Sequence, residues 1–441
     1  MSKSEKQGSI VALSPLFVFI FLFIGTGIFT GDFSNMPLTV AVIISATYAM
    51  FLNRKESLAK KVEVFTKSAG HSNIILMVVI FVLAGAFAGV AKGMGAVEST
   101  VNLGLSLVPG NLLMVGLFLV GCFISVAMGT SMGTVVALAP IGLGIADETG
   151  IPVALALATV VGGAMFGDNL SMISDTTIAA VRTQNTKMKD KFKVNFFIVL
   201  PGAILTAIIL GVITSGYELS LTGDHPYDVV KVLPYLVVLI AALVGVDVLI
   251  VLLGGTVFAG VIGLINGSYT FTSFIQTAAK GIIRMEDIAM IAILIGGLIG
   301  LIQHYGGIDY ILHSVMSKIK TKRGAEFGIA ALVSAVDIAT VNNTISIIMT
   351  GPLAKNIADE YEIDPRKSAS ILDIFSSAWQ GFLPYGGQML AAAGIAGISP
   401  VSLMPYSFYP VLLGVCGIVA ILIRYPKFQA QPKELQYKKA Q

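Results

Sequence analysis

The sequence predicts an all-α polytopic membrane protein made of two inverted-topology repeats with broken or re-entrant helices. Three observations carry that expectation: an apolar composition, an internal duplication, and an opposite distribution of charge between the duplicated parts. Hydrophobic residues make up 55% of the 441-residue chain and charged residues 12%, with a mean hydropathy of +0.87. A soluble domain carries about a quarter charged residues. Stretches long enough to cross a bilayer recur at 15–30, 73–91, 195–215, 233–253 and 405–423, each nearly free of charge. They are too uniformly apolar for the alternating strands of an outer-membrane barrel, so helices are expected. No small-residue cleavage site follows 15–30, which reads as a first helix. Cys122 and Cys416 lie in apolar runs and suggest neither a disulfide nor a metal.

The duplication appears when Pro140-Ile-Gly-Leu-Gly-Ile-Ala-Asp-Glu148 is laid over Pro352-Leu-Ala-Lys-Asn-Ile-Ala-Asp-Glu360, an offset of 212 residues that also sets Gly85 on Gly297 and Gly95 on Gly307. The expected halves are residues 1–222 and 223–430, followed by a basic tail at 431–441. The basic stretch 182–193 corresponds to the uncharged 394–404, and the uncharged 106–111 to the basic 318–323. Basic loops mark the cytoplasmic side, so equivalent loops face opposite sides. The acidic stretch 217–228 then faces outward, both termini face the cytoplasm, and the basic runs read as solvated loops that only orient the chain. Lys280 and Arg284 conflict with that scheme mildly, being beside Glu286 and Asp287. Inverted repeats place a substrate site near the membrane midplane, built from interrupted helices.

Four interruptions are legible: 128–134 (Met-Gly-Thr-Ser-Met-Gly-Thr), 340–346 (Thr-Val-Asn-Asn-Thr-Ile-Ser), 166–177 (Phe-Gly-Asp-Asn-Leu-Ser-Met-Ile-Ser-Asp-Thr-Thr) and 380–388 (Gln-Gly-Phe-Leu-Pro-Tyr-Gly-Gly-Gln). Lipid cannot satisfy the backbone groups a break frees, so the four are expected to surround one central cavity. The carboxylates available to it are Asp168, Asp175, Asp337 and Asp373. If 168–175 is helical, Asp168 and Asp175 share a face; otherwise Asp168 serves as a helix N-cap. Hard monovalent cations take oxygen ligands, which these carboxylates, Thr130, Ser131, Asn169, Ser171, Ser174, Thr176, Asn342, Asn343 and Thr344 supply. Isolated charge is costly in a low-dielectric interior, so a carboxylate there can exchange a proton for a cation. Asp168, Asp175 and Asp337 are the expected sodium ligands. The hydroxyls could equally bond helix carbonyls. Asp337, flanked by apolar residues, needs a functional or pairing role. Asp373 lies either in the cavity or against Arg366 or Lys367. Trp379, Tyr385 and Gln388 add aromatic and amide groups at the fourth break. Asp32 and Asp247 read as turn residues, and Lys92 as snorkelling to the interface.

The segments FGDNLSMISDTT, MGTSMGT and VDIATVNNT together resemble the NhaC-type sodium/proton antiporters of the ion transporter superfamily, in order and spacing over essentially the whole chain. The resemblance implies a multi-pass prokaryotic inner-membrane protein that carries Na+ and H+, contacts lipid and uses no bound cofactor. It implies that Asp168, Asn169, Ser171, Ser174, Asp175 and Thr176 carry the motif. Met172 stands where the family commonly has proline and Met132 where it has tryptophan. A homodimer fits such a chain; nucleic acid does not. Two other functions stay open. A sodium- or proton-coupled amino-acid or organic-acid transporter would use Trp379, Tyr385 and Gln388 for its solute. An intramembrane aspartyl protease would pair two helix-borne Asp residues, although Met165 occupies the glycine position its chemistry expects. No glycine-rich nucleotide loop precedes a strand, which speaks against an ATP-driven pump.

Overall fold

The computed structural model describes residues 8–30, 35–107, 112–172, 174–215, 226–317 and 319–426. Asp32, Glu218, Asp224, Lys318, the expected boundary at 222/223 and the tail at 431–441 lie outside them. Among the described residues all regular structure is helical. The first part of the chain forms α1 (Ser14–Ile20), a π-turn Phe21–Gly25, α2 (Thr26–Thr30), α3 (Leu38–Phe51), α4 (Leu58–Ala69), α5 (Ser72–Gly93), α6 (Ala96–Leu107), α7 (Leu113–Met128), α8 (Ser131–Thr149), α9 (Val153–Leu170), α10 (Asp175–Thr183) and α11 (Met188–Ser215). The second part forms α12 (Val229–Leu243), α13 (Val248–Ile265), α14 (Phe271–Arg284), α15 (Glu286–His304), α16 (Gly307–Met316), α17 (Lys322–Thr340), α18 (Asn343–Glu360), α19 (Pro365–Gln380), α20 (Gly387–Ala396), a 3-10 turn Pro400–Tyr406 and α21 (Phe408–Leu422). Five helical stretches are long and apolar enough to cross a bilayer, among them α5, α11 and α13.

Three expected spans differ in detail. The run 233–253 is two helices, because Gly245 adopts a left-handed φ of 87° and the Asp247 carboxylate caps α13 at Leu249 N, 2.9 Å away. Residues 405–423 begin in the 3-10 turn, which meets α20 at 109°, and become α-helical only from Phe408. The span at 195–215 is the later part of a helix that starts at Met188, so part of the basic stretch 182–193 is helix and not solvated loop.

Outward faces are apolar: Phe123, Val212 and Ile250 are each more than 60% exposed. Polar side chains turn inward instead, Asn169, Lys191, Asn195, Asp337 and Asp373 being 0% exposed. That inside-out pattern suits a lipid solvent. Small residues allow the helices to approach closely. Gly163 and Gly167 on α9 face the backbone of α7, where an added methyl would lie 2.6 Å from Phe118 O and 2.6 Å from Cys122 O respectively. Gly85 on α5 meets Gly281 on α14 backbone to backbone.

The packing comes in matched pairs: α4 lies on α15 as α14 lies on α5, and α10 lies on α18 as α20 lies on α8. Charged side chains also shape these contacts. Lys61 is buried and donates to Met50 O at 2.8 Å and Leu52 O at 2.5 Å, satisfying the end of α3. Lys367 on α19 is buried against Glu326 on α17 at 2.7 Å. Lys61 in the basic run 54–67, like Lys191 in 182–193, overturns the expectation that basic runs merely orient the chain.

Gly163→Ala and Gly167→Ala should each force α9 away from α7 and cost about 1–3 kcal/mol. Thermal unfolding of the purified variants in detergent checks this; unchanged midpoints would show that α7 and α9 yield without strain.

Candidate functional site

The four expected breaks are all present. α7 stops at Gly129, whose φ is 68°, and restarts as α8 after Thr130, whose hydroxyl accepts from Gly133 N at 3.4 Å. α17 stops at Val341, whose φ is 54°, and restarts as α18 after Asn342, whose side chain accepts from Ile345 N at 2.9 Å. A β-branched residue in the left-handed region costs about 1–2 kcal/mol relative to glycine, so the second kink carries strain that the first avoids. α9 gives way to α10 through extended Ser171 and Ser174, and α19 gives way to α20 across 381–386.

These elements converge on a buried polar core. Asp168, 2% exposed on the last turn of α9, accepts from Ser174 Oγ at 2.6 Å and from Ser131 Oγ at 3.1 Å. Ser174 and Thr176 share a hydrogen bond of 2.8 Å. The Ser131 hydroxyl in turn accepts from Gln388 Nε2 at 3.0 Å, and Gln388 Oε1 accepts from Gln380 Nε2 at 2.7 Å. A continuous chain of hydrogen bonds thus joins the first, third and fourth breaks. The N-cap reading of Asp168 fails because it ends a helix. Asp168 and Asp175 do not share a helix face, since α9 ends at Leu170 and α10 begins only at Asp175.

Asp373 pairs with neither Arg366, which forks onto Asp364 at 2.7 and 2.8 Å, nor Lys367. Its partner is Lys191, buried on α11. Lys191 Nζ also donates to Asn169 O at 2.6 Å and Thr177 Oγ1 at 2.9 Å. Asn195, one turn along, donates to Asn169 Oδ1 at 2.9 Å and Asp373 Oδ2 at 3.3 Å. Reading 182–193 as a loop concealed this pair. The i, i+4 spacing of Lys191 and Asn195 on a face entering an apolar helix was the available signal.

Asp337 is buried on α17 and accepts from Ser346 Oγ at 3.3 Å, while its Oδ2 has no partner. Asp175 is exposed; it accepts from Thr344 Oγ1 at 2.9 Å and from Thr176 N at 3.1 Å, and so ties α10 to α18. Ser171 is buried at the end of α9, and Asn343 is buried at the start of α18 with its Nδ2 unpartnered. Tyr385 is buried with its hydroxyl on Ile338 O at 3.3 Å, and half-buried Trp379 stacks edge-on against Phe382. Lys92 lies 3.6 Å from Asp147, both exposed, beside a cavity of about 220 Å3 between α5, α8 and α14. No three His, Cys, Asp or Glu side chains converge as a metal cluster among the described residues.

Buried carboxylates held by hydroxyls and amides among interrupted helices with apolar exteriors are the arrangement of a membrane-embedded secondary transporter. The chain belongs to the Na+/H+ antiporter family, whose model matches residues 7–214 and 226–427. It is similar to the Na+/H+ antiporter NhaC of Bacillus subtilis (strain 168), 24% identical over 96% of this chain and 99% of that one. It is also similar to the malate-2H+/Na+-lactate antiporter of the same organism, 23% identical over 90% of this chain and 92% of that one. The solved structure of the Alcanivorax borkumensis YdaH transporter is a looser likeness, at 13% identity, a TM-score of 0.40, and 93% and 99% coverage of the two chains.

Ser131→Ala and Gln388→Leu should each destabilise by about 1–3 kcal/mol, because each strands a buried polar partner. The double variant should cost less than the sum. Additive losses in a double-mutant cycle of unfolding free energies would sever the proposed chain from Gln380 to Asp168.

Proposed function

We propose that this protein exchanges sodium for protons across the prokaryotic inner membrane by alternating access, with Asp168 as the principal exchanging group. The supporting observation is that Asp168 sits where three helix breaks meet, sharing Ser131 with Gln388 and Ser174 with Thr176. A hydroxyl both donates and accepts, so Ser131 and Ser174 can donate to the bare carboxylate or turn their lone pairs to a cation. Asp168 releases its proton to water as sodium enters, and the site carries no added charge in either loaded state. A neutral site costs little to move through a low-dielectric barrier.

The halves 1–222 and 223–430 act as inverted repeats that rock against one another, both termini and the tail at 431–441 facing the cytoplasm. Matched packing of α10 on α18 and of α20 on α8 supports this, because each re-entrant element docks on the kinked helix of the other half. Asp337, with one unpartnered oxygen, contributes a second exchanging carboxylate from the other half. Asp175 lines the approach, being exposed beside Thr344. Solute transport gains little from Gln388 and Tyr385, whose polar atoms are engaged within the protein.

Proteoliposomes with an internal pH dye test this reading. Sodium or lithium, but not potassium, should dissipate an imposed proton gradient. Asp168→Asn should abolish that response, and Asp337→Asn should reduce it at least about tenfold while both variants still insert and elute as the native protein does. Full sodium response in Asp168→Asn would remove it from the site. Silence with ions alone, together with uptake of an amino or organic acid, would move the function to solute transport.

A further inference from the structure

Lys191 is the buried cation that the exchange described above leaves without a task. Its ammonium has three donors, and all are used: on Asp373 Oδ2, on the backbone oxygen of Asn169 at 2.6 Å and on Thr177 Oγ1 at 2.9 Å. A carboxylate, a carbonyl and a hydroxyl are the ligand types a hard monovalent cation takes. Two further oxygens of the same cluster, Asp373 Oδ1 and Asn195 Oδ1, are buried without a hydrogen-bond partner. The shell therefore holds more oxygen than one ammonium satisfies. It is assembled from α9, α10, α11 and α19, so it depends on the third break and on the other part of the chain at once.

We propose that Asp373, Asn169, Thr177 and Asn195 form a second monovalent-cation site, and that Lys191 is a tethered cation which fills it until sodium displaces its ammonium. On displacement the Lys191 ammonium gives up its three oxygens to sodium. One positive charge replaces another, and the shell stays balanced. The charged and titratable groups facing Lys191 agree with this arrangement: Asp373 from α19 in contact, Asp168 from α9 within electrostatic reach, and beyond Asp373 the Tyr409 hydroxyl of α21. On α10 it is Thr177 that touches the ammonium, while Asp175 is engaged by Thr344. The inference rests on the antiport reading, which it deepens by adding a site and a competitor.

The test measures stabilisation of the purified full-length protein by sodium chloride against choline chloride, from thermal unfolding in detergent. Lys191→Met removes the competing charge and keeps an unbranched stem. It should unfold earlier than the native chain in choline and be rescued by sodium, with half-maximal rescue at a sodium concentration on the order of tenfold lower than the native response, because a tethered competitor acts at high effective concentration. Lys191→Met/Asp373→Asn should lose that rescue, and Lys191→Arg, which keeps the charge, should show none of the increased affinity. Equal sodium responses in the native chain and Lys191→Met, or a double variant that responds like the single, would overturn the proposal. If Lys191→Met does not fold, Lys191→Gln is judged by the same comparison. Absence of sodium-driven proton movement in the native protein, with sodium rescue of Lys191→Met intact, would instead sink the antiport reading and leave the cation site standing.

Discussion

Backbone polarity that lipid cannot satisfy is the constraint on which this structure depends. Each break in α7–α8, α9–α10, α17–α18 and α19–α20 frees carbonyl and N–H groups that must find protein partners. Thr130 and Asn342 cap the restarted helices, and Ser171 and Val341 donate their N–H groups back to Gly167 and Asp337 at 2.8 and 2.7 Å. Because the breaks need company they pack against one another, and their side chains then supply a polar core inside an apolar shell. The ion chemistry is a consequence of that assembly.

The two kinks are alike in backbone and unlike in cost. Gly129 enters the left-handed region freely, whereas Val341 is held there by its surroundings. The same asymmetry runs through the site. The break near Asp168 is rich in hydroxyls and joins Ser131, Ser174 and Thr176, while its counterpart at 380–388 contributes amides through Gln380 and Gln388. Hydroxyls gather at one break and amides at its counterpart, so the two breaks share a backbone frame without sharing side chains.

The buried pair Lys191–Asp373 brings α11 to α19 and fastens the end of α9 through Asn169 O. Removing one partner of such a pair leaves an uncompensated charge and costs about 3–5 kcal/mol, so the pair ties the two parts of the chain together strongly. Lys367–Glu326 and the carbonyl-capping Lys61 show the same use of basic side chains as internal fasteners. Lys191 and Lys61 belong to basic runs whose composition looks like loop.

Composition and breakpoints were determined by the sequence alone. An apolar chain with 12% charge can fold only in lipid, and glycine, hydroxyl and amide clusters between apolar runs mark helix interruptions whatever surrounds them. The four breaks and the helical class were legible for that reason. What tertiary structure decided were the partnerships. Asp373 selects Lys191 over the nearer-in-sequence Arg366 and Lys367 because α11, and not the start of α19, passes beside it. Asp175 leaves the buried core and reaches Thr344 because α9 ends at Leu170 and a new helix starts at Asp175, which turns the face it would have shared with Asp168. Spacing along a chain predicts neighbours only while the helix is unbroken, and here the candidate residues stand at or near the breaks.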